Sequence, residues 1–103
     1  MVIVSVNFKL SKEVSRSDLK SKFLETASMY QTTPGLIRKN YLYDEERHVG
    51  GGIYLFDSMA NAKAWFDEER VAWLAERYSD PMIHFFDSPV VVDNVTQEIV
   101  VED

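Results

Sequence analysis

The stretch HVGGGIYLFDSMANAKAW, from His48 to Trp65, decides the fold of this chain. Three glycines lead into an apolar run that predicts a β-strand over Gly50–Phe56, and Asp57 or Ser58 then caps a helix with Trp65 on its inward face. Because glycine weakens a strand, the triplet predicts either a β-bulge or a close approach of two backbones. The passage therefore predicts a turn, a strand and a helix in succession.

The segment Val2–Leu10 alternates in character, as a β-strand with two different faces does. One face is wholly apolar and the other is mixed. The apolar face carries Val2, Val4, Val6 and Phe8, and the mixed face carries Ile3, Ser5, Asn7 and Lys9. The first strand thus offers two different surfaces for packing.

Two helical regions are predicted. In the first, Ser15 and Asp18 form a capping-box pattern, and inward positions recur as far as Tyr30. The second carries a charged run at 67–70 in the middle of its apolar pattern. No glycine or proline interrupts residues 58–79, so the sequence leaves open whether they form one bent helix or two.

The predicted elements follow the order strand, helix, hairpin, helix, strand within a single domain, residues 1–103. Leu36–Tyr43 and Gly50–Phe56 form the hairpin, because a short charged turn joins them. The later strand segments are Ile83–Phe86, Val90–Val92 and Ile99–Val101. This order predicts an α+β fold of the ferredoxin-like βαββαβ type, with an antiparallel sheet and both helices on one side.

One layer of helices covers only one face of such a sheet. We expect the wholly apolar face of the first strand, from Val2 to Phe8, to stay uncovered within one subunit. A large exposed apolar surface marks an interaction site, and the sheet of a second subunit is the simplest cover. The sequence therefore predicts a homodimer.

Composition narrows the class of protein. The chain is 46% apolar and 13% aromatic, which is ample for a folded core. Its 17 acidic and 11 basic residues give a net charge of −6, which argues against nucleic acid and anionic membrane surfaces as partners. Cysteine is absent, which excludes disulfides and thiolate chemistry. With no signal-peptide pattern and no long apolar run, we expect a cytoplasmic protein without membrane contact.

The order of elements, the apolar first strand, Pro34-Gly35 before the second strand and above all GGIYLF at 51–56 resemble the dimeric α+β-barrel superfamily. Within it the chain is most similar to the small mono-oxygenase-like proteins of the YdhR type, which carry the same GGIYLF. Broader relatives are antibiotic-biosynthesis and haem-degrading mono-oxygenases. The resemblance covers nearly the whole chain. It implies a homodimer with facing sheets and a pocket between each sheet and its own helices.

The resemblance implies three catalytic candidates, Asn7, Asn61 and Trp65. The haem-degrading branch has an asparagine at the place of Asn7, and an amide there can hold a phenolate or enolate oxygen. Asn61 and Trp65 share a helix face and look like an asparagine–tryptophan pair of the polyketide-oxidising relatives. An indole can stack on a flat substrate and donate its N–H. We expect Asn7 and Trp65 to approach one cavity, although each residue also has a plain structural interpretation.

Four further residues are candidates for substrate binding: Ser5, Tyr41, Tyr54 and His84. A buried tyrosine hydroxyl can donate to a substrate oxygen or relay a proton, but sheet tyrosines also serve in packing. Arg38 and Lys39 point to opposite faces, so one of them is placed to meet an anionic ligand. The resemblance implies no cofactor, and two histidines at unrelated positions make no metal site.

Haem degradation does not match this chain. The haem branch carries an axial histidine downstream of its tryptophan, at the position that corresponds here to Ala75. The function that the resemblance implies is a cofactor-independent mono-oxygenase acting on a planar aromatic or polyketide-like molecule. An acid–base isomerase on the same scaffold and a non-catalytic small-molecule binder remain alternatives, because one scaffold hosts several chemistries.

Overall fold

The computed structural model describes residues 1–102. Its strands and helices are β1 (Val2–Lys9), α1 (Arg16–Leu24), α2 (Ala27–Tyr30), β2 (Leu36–Asp44), β3 (Val49–Phe56), α3 (Met59–Trp65), α4 (Glu68–Arg77), β4 (Ser79–Asp87), β5 (Val90–Asp93) and β6 (Glu98–Val101). The main sheet has the order β2-β3-β1-β4, and every neighbouring pair is antiparallel. This topology confirms the predicted ferredoxin-like α+β fold.

The two faces of β1 are used in the opposite way to our prediction. Val2, Val4, Val6 and Phe8 are buried in the chain's own core, together with helical residues such as Leu19 and Leu74. Ile3, Ser5 and Asn7 lie on the other face, opposite exposed residues of β4. The expectation that the apolar face stays uncovered was wrong. Helices cover the face whose burial removes the most apolar area from water, and the mixed face is left open.

Each predicted helical region is divided in two. α1 begins with the predicted capping box, in which Asp18 N–H donates to Ser15 Oγ at 3.1 Å. It ends before Thr26, whose hydroxyl donates to the Phe23 carbonyl at 3.1 Å and so competes with the helical pattern. Ser58 caps α3. Asp67 then caps a separate α4 by accepting from Arg70 N–H at 2.8 Å, so the charged run is a helix start.

The β2–β3 hairpin forms as predicted, with Asp44 and Val49 paired at its closed end. The glycine triplet that leads into β3 pairs with β1 in continuous register, so it is not a bulge. A Cβ atom on Gly51 would collide with the carbonyl oxygen of Val6. Of the two predicted explanations, the close approach of two backbones is the one that holds here.

β4 follows α4 directly, and a register shift against β1 lies where Asp80 adopts a φ of 44°. β5 and β6 form a separate two-stranded sheet rather than extending the main one. Several of their apolar side chains are exposed, namely Val90, Val92, Ile99 and Val101. Among residues 1–102, no helix has the length and apolar character needed to cross a membrane.

Candidate functional site

A cavity lies between the inner face of the sheet and the helices. Its free volume is about 10 Å³, which is room for about one water molecule or a diatomic gas and not for an aromatic ring. Its wall is mainly aromatic. The lining residues are Val6, Phe8, Phe23, Thr26, Tyr30, Lys39, Tyr41, Gly51, Gly52, Tyr54, Trp73, Leu74 and Tyr78.

Lys39 is the one residue with an ordinarily charged side chain among these lining residues of the described chain. It extends from β2, on the same face as Tyr41, into a box of three phenol rings. Its Nζ lies 3.6 Å from the ring centroid of Tyr30, 3.8 Å from that of Tyr41 and 4.6 Å from that of Tyr54. Cation–π attraction of this kind offsets part of the cost of removing an ammonium from water. Burial nevertheless lowers the pKa of Lys39 to about 7.

The box depends on the glycine triplet. A Cβ atom on Gly52 would lie 3.0 Å from Lys39 Cε and 3.2 Å from a ring carbon of Tyr54. Such contacts are tight, so a larger residue would displace the lysine stem or the ring. The absence of a side chain at Gly52 therefore makes the space into which Lys39 extends.

The tyrosines around Lys39 stay protonated at neutral pH. Burial raises the pKa of Tyr54, and it also raises the pKa values of Tyr30 and Tyr41. The Tyr41 hydroxyl lies 2.8 Å from Thr26 Oγ1, whose own proton goes to the Phe23 carbonyl, so Tyr41 is the donor in that pair. Because the Tyr41 proton goes to Thr26, the polar groups that the box presents are the hydroxyls of Tyr30 and Tyr54 and one amine.

An open groove adjoins the cavity at the edge strand β2. Its volume is about 310 Å³, at the lower end of the range typical of small-molecule sites. Tyr30, Lys39 and Tyr41 belong to both walls, so they separate the groove from the cavity. The other groove residues are Ala27, Gln31, Leu36, Ile37 and Arg38. A planar ligand in the groove would therefore contact Tyr30, Lys39 and Tyr41 directly.

Further basic side chains lie against the aromatic residues of this region. The guanidinium carbon of Arg70 is 3.9 Å from the ring centroid of Trp65, and that of Arg77 is 5.7 Å from that of Trp73. Among residues 1–102, the one ion pair in this group joins Arg77 to exposed Glu25 at 3.6 Å. Basic groups are thus concentrated here in a chain whose net charge is −6, and such a concentration favours an anionic ligand.

The predicted site residues fall on both sides of the sheet. Tyr41 and Tyr54 line the inner cavity, and Tyr41 also lines the groove. Ser5, Asn7 and His84 lie on the open face, where Ser5 and His84 are directly paired across strands. The expectation that Asn7 and Trp65 approach one cavity was wrong, because the alternation of β1 carries Asn7 to the opposite face.

Asn61 has a local structural partner. Its Nδ2 donates to Asp57 Oδ1 at 2.8 Å, and the backbone N–H of Asp57 donates to the Gly35 carbonyl at 2.9 Å. Gly35 has a φ of 77°, and a Cβ atom there would lie 2.5 Å from Asn61 Nδ2. These contacts fasten the turn before β2 to the start of α3. Asn61 lines neither the cavity nor the groove.

Trp65 stands behind the box. Its ring makes an edge contact with Tyr30, with the ring centroids 5.7 Å apart, and the guanidinium of Arg70 covers its other side. The indole Nε1 is buried and has no hydrogen-bond partner among the described residues. Trp65 therefore lies next to the site, and its indole N–H is a donor without a partner among the described residues.

The sequence placed Lys39 or Arg38 to meet an anionic ligand and Tyr30 at an inward helical position, but it did not predict that Lys39 and Tyr30 meet in one box. The signal for the lysine was its alternation with Tyr41 and Tyr43, which puts the three on one face of the predicted strand. A lysine in an apolar stripe is unusual unless it is paired. Nothing in the sequence showed that Tyr30 and Tyr54, far apart along the chain, would meet around it.

The comparison with protein families gives one match. Residues 3–87 match the family described as "Putative mono-oxygenase ydhR". The chain belongs to the ydhR family. This membership confirms the resemblance inferred from GGIYLF. No curated protein matches the sequence.

Solved structures share the fold of this ydhR-family chain. It is similar to a protein from Deinococcus radiodurans described as a "putative antibiotic biosynthesis monooxygenase", with 12% identity, a TM-score of 0.67, and coverage of 90% of this chain and 97% of that one. A variant of SnoaB, a cofactor-independent oxygenase from Streptomyces nogalater, has 15% identity, a TM-score of 0.65 and coverage of 90% and 97%. A variant of MhuD with two manganese protoporphyrin IX molecules per active site has 14% identity, a TM-score of 0.70 and coverage of 91% and 100%.

Haem does not fit the residues of the candidate site. Of the described residues, no histidine lines the cavity or the groove: His48 ends the hairpin turn and His84 is exposed on the open face. Ala75, where the resemblance implies an axial histidine, is exposed on α4, while Trp73 and Leu74 line the cavity. That this protein does not degrade haem stays a prediction.

Proposed function

We propose that this protein is a mono-oxygenase that oxidises a planar aromatic or polyketide-like molecule with O₂ and without metal, flavin or haem. The observation that carries the proposal is the joined pair of spaces around Lys39, one sized for a ring system and one for a small molecule such as O₂. Membership of the ydhR family supports the reaction type. The shared fold with SnoaB, described as a cofactor-independent oxygenase, is compatible with it.

The reaction on an anthrone-like substrate balances with O₂ as the sole oxidant. The substrate first loses a proton to give an enolate, which is electron-rich enough to reduce O₂. One oxygen atom ends as a carbonyl on the former methylene carbon, and the other leaves as water with the two hydrogens. The protein contributes by orienting the ring, excluding water and stabilising the developing oxyanion.

In this proposal the ring lies in the groove against Tyr30 and Tyr41, with Lys39 at its polar edge. The Tyr54 hydroxyl, which lines the inner cavity, serves as a donor to the oxygen species held there, while the Tyr41 proton stays on Thr26 Oγ1. Trp65 supports Tyr30 through their edge contact. The catalytic role first expected for Asn7 passes to this inner group, because Asn7 lies across the sheet. Asn61 serves the fold through its bond to Asp57.

The non-catalytic binder remains the second candidate, and one observation favours it. The cavity beside Lys39 has a free volume of only about 10 Å³, so O₂ has little room to move there. In a pure binder the same groove would hold an aromatic anion and release it unchanged.

Oxygen uptake distinguishes the two candidates. Anthrone is added to the protein in metal-chelated, flavin-free buffer, and O₂ is followed with an electrode. We expect consumption by the wild type, and a rate about 10–100-fold lower in Tyr54→Phe, which loses a hydroxyl of the box. Tyr43→Phe, the same change outside the cavity and the groove, is the matched control. Saturable anthrone binding with no O₂ uptake above background would overturn the oxygenase and leave the binder.

We further propose that the protein is a homodimer assembled through the open face of the sheet. Exposed apolar residues of β4, Met82 and Phe86, lie on this face beside Ile3 and Asn7 of β1. A second copy would bury these side chains. β5 and β6 carry further exposed apolar side chains, at Val90, Val92, Ile99 and Val101. We also propose that the protein is located in the cytoplasm.

A further inference from the structure

Lys39 is isolated from acidic side chains in the part of the chain that the structure describes. None of the ion pairs found among residues 1–102 includes its amine, and no carboxylate lines the cavity or the groove. Lysines that leave water are normally paired with an acid. Here three phenol rings surround the amine instead, which stabilises an ammonium less than a carboxylate does. The amine is therefore free to change its protonation state.

Four tyrosines line the cavity together with Lys39. Tyr30 approaches from α2, Tyr41 from β2 and Tyr54 from β3, and Tyr78 is the residue that follows α4. Burial raises the pKa values of Tyr30, Tyr41 and Tyr54, so these three phenols are neutral at pH 7. The guanidinium groups of Arg70 and Arg77 act electrostatically on Tyr30. Since burial lowers the pKa of Lys39 to about 7, this amine is the group of the box that exchanges a proton near neutrality.

Lys39 is accessible to a ligand from the open groove. Lys39 belongs to the wall of the open groove as well as to the wall of the inner cavity, so a ligand in the groove meets the amine without passing through the core. A candidate general base has to lie within hydrogen-bond reach of the proton that it removes. Because Lys39 lines the groove beside Tyr41, a phenol or enol group at the inner edge of a bound ring would face this residue.

We propose that Lys39 accepts a proton from an acidic O–H or C–H of an aromatic substrate in the groove and then holds the resulting phenolate or enolate. In this step the substrate O–H or C–H bond breaks, an N–H bond forms on Lys39, and the electron pair stays on the substrate. No oxidant takes part. The ammonium and the anion then attract each other in a site poor in water, where the attraction is stronger than in bulk solvent.

This inference rests on the proposed function for the location of the substrate and adds the substrate class, ionisable phenols and enols. The proposed role of Lys39 also differs from that of a simple anion-binding cation. A fixed cation leaves the substrate proton to solvent, whereas a neutral amine keeps it. The number of protons released on binding therefore distinguishes the two roles.

The test uses 2-naphthol, a planar phenol that is neutral when free at pH 8 and changes its absorption spectrum on ionisation. We expect the wild type to bind it as naphtholate with little net proton release, since the amine keeps the proton. Lys39→Met should lower the bound naphtholate fraction at least about tenfold, equivalent to about one pKa unit of the ligand. Lys39→Arg should bind naphtholate and release about one proton per chain, as linkage requires. Calorimetry in buffers of different ionisation enthalpy counts the protons.

Lys63→Met is the matched control, because Lys63 also lies against a ring, with Nζ 4.2 Å from the Phe85 centroid, but outside the groove. It should behave as the wild type. Binding of neutral 2-naphthol by the wild type, or unchanged naphtholate in Lys39→Met, would overturn the role of Lys39. If 2-naphthol does not bind at all, the groove is not a binding site for planar phenols, and this inference fails with it. Naphtholate binding without anthrone oxidation would overturn only the oxygenase.

Discussion

The inner and open faces of the sheet differ more in what covers them than in how apolar they are. On the inner face, Val4 and Phe56 are completely buried beneath the chain's own helices. On the open face, Phe86 is 53% exposed although it is as apolar as Phe56. The inner face thus stabilises the subunit by burial, and the open face is left for other contacts.

The inner face nevertheless contains the residue that is hardest to bury. Lys39 lies among three aromatic rings at the edge of an otherwise apolar layer. The polar residues that seemed suited to catalysis, Asn7 and His84, lie on the open face. A polar side chain is a better candidate for chemistry where burial shifts its pKa, as at Lys39, than where water surrounds it.

The largest expected difference between the faces is in stability. Phe56→Ala, on the inner face, should lower the free energy of unfolding by about 3–5 kcal/mol, because it leaves a cavity in the core. Phe86→Ala, the same change on the open face, should lower it by less than about 1 kcal/mol at protein concentrations where the chain is monomeric. Urea titrations of both variants make the comparison. Equal losses would contradict the assignment of the faces.

The open face should instead control association. Sedimentation at micromolar concentration is expected to give twice the chain mass. Ile53→Asp, which places a charge beside Ser5 and Asn40 on the open face, should raise the dimer dissociation constant at least about 100-fold, a cost of about 2.7 kcal/mol. Val71→Asp, on the exposed side of α4, is the control and should leave the dimer intact. A monomeric wild type would remove the proposed interface.

The pH dependence of stability should report the cost of burying Lys39. Its pKa is about 7 in the folded chain and 10.5 in the unfolded chain, so the unfolded chain binds more protons between these values. The cost is complete below pH 7 and disappears as the pH rises towards 10.5. Allowing for partial exposure to water, we expect Lys39→Met to be about 2 kcal/mol more stable than the wild type at pH 6. The difference should shrink at alkaline pH in denaturant titrations, and a pH-independent difference would contradict this account.

A smaller effect is expected in catalysis. Tyr41→Phe removes a hydroxyl at the junction of groove and cavity, and it should lower kcat/KM for anthrone about tenfold, or about 1.4 kcal/mol. Asn7→Ala, on the open face, should change kcat/KM by less than about twofold. Oxygen-electrode assays of both variants decide between the faces. A larger loss of kcat/KM in Asn7→Ala than in Tyr41→Phe would indicate that the site lies on the open face.

Most of the fold was predictable because it depends on local patterns. The Ser15–Asp18 capping box, the hairpin with its charged turn and the strand after the glycines are each specified within a few residues. The divisions at Thr26 and Asp67 were harder to predict. Both arise from side chains that bond to nearby backbone groups in competition with a continuous helix.

The site was less predictable, and for a different reason. Alternation showed that β1 has two faces, but assigning the apolar face to a partner reversed every inference that depended on it, including the place of Asn7. The box around Lys39 joins α2, β2 and β3, so its distances exist only after long-range packing. Tyr41 and Tyr54 were chosen from the hairpin pattern, whereas Tyr30 was placed only as an inward position of the first helical region and not as part of a site.

The measurement that tests the central claim most directly is a two-dimensional NMR titration of the protein with 2-naphthol. The claim is that the functional site lies on the inner face around Lys39. We expect the largest backbone amide shifts at Tyr30, Lys39, Tyr41 and Tyr54, with small shifts at Ser5, Asn7 and His84. Shifts concentrated on the Asn7 and His84 side of the sheet, with the lysine box unchanged, would contradict the account.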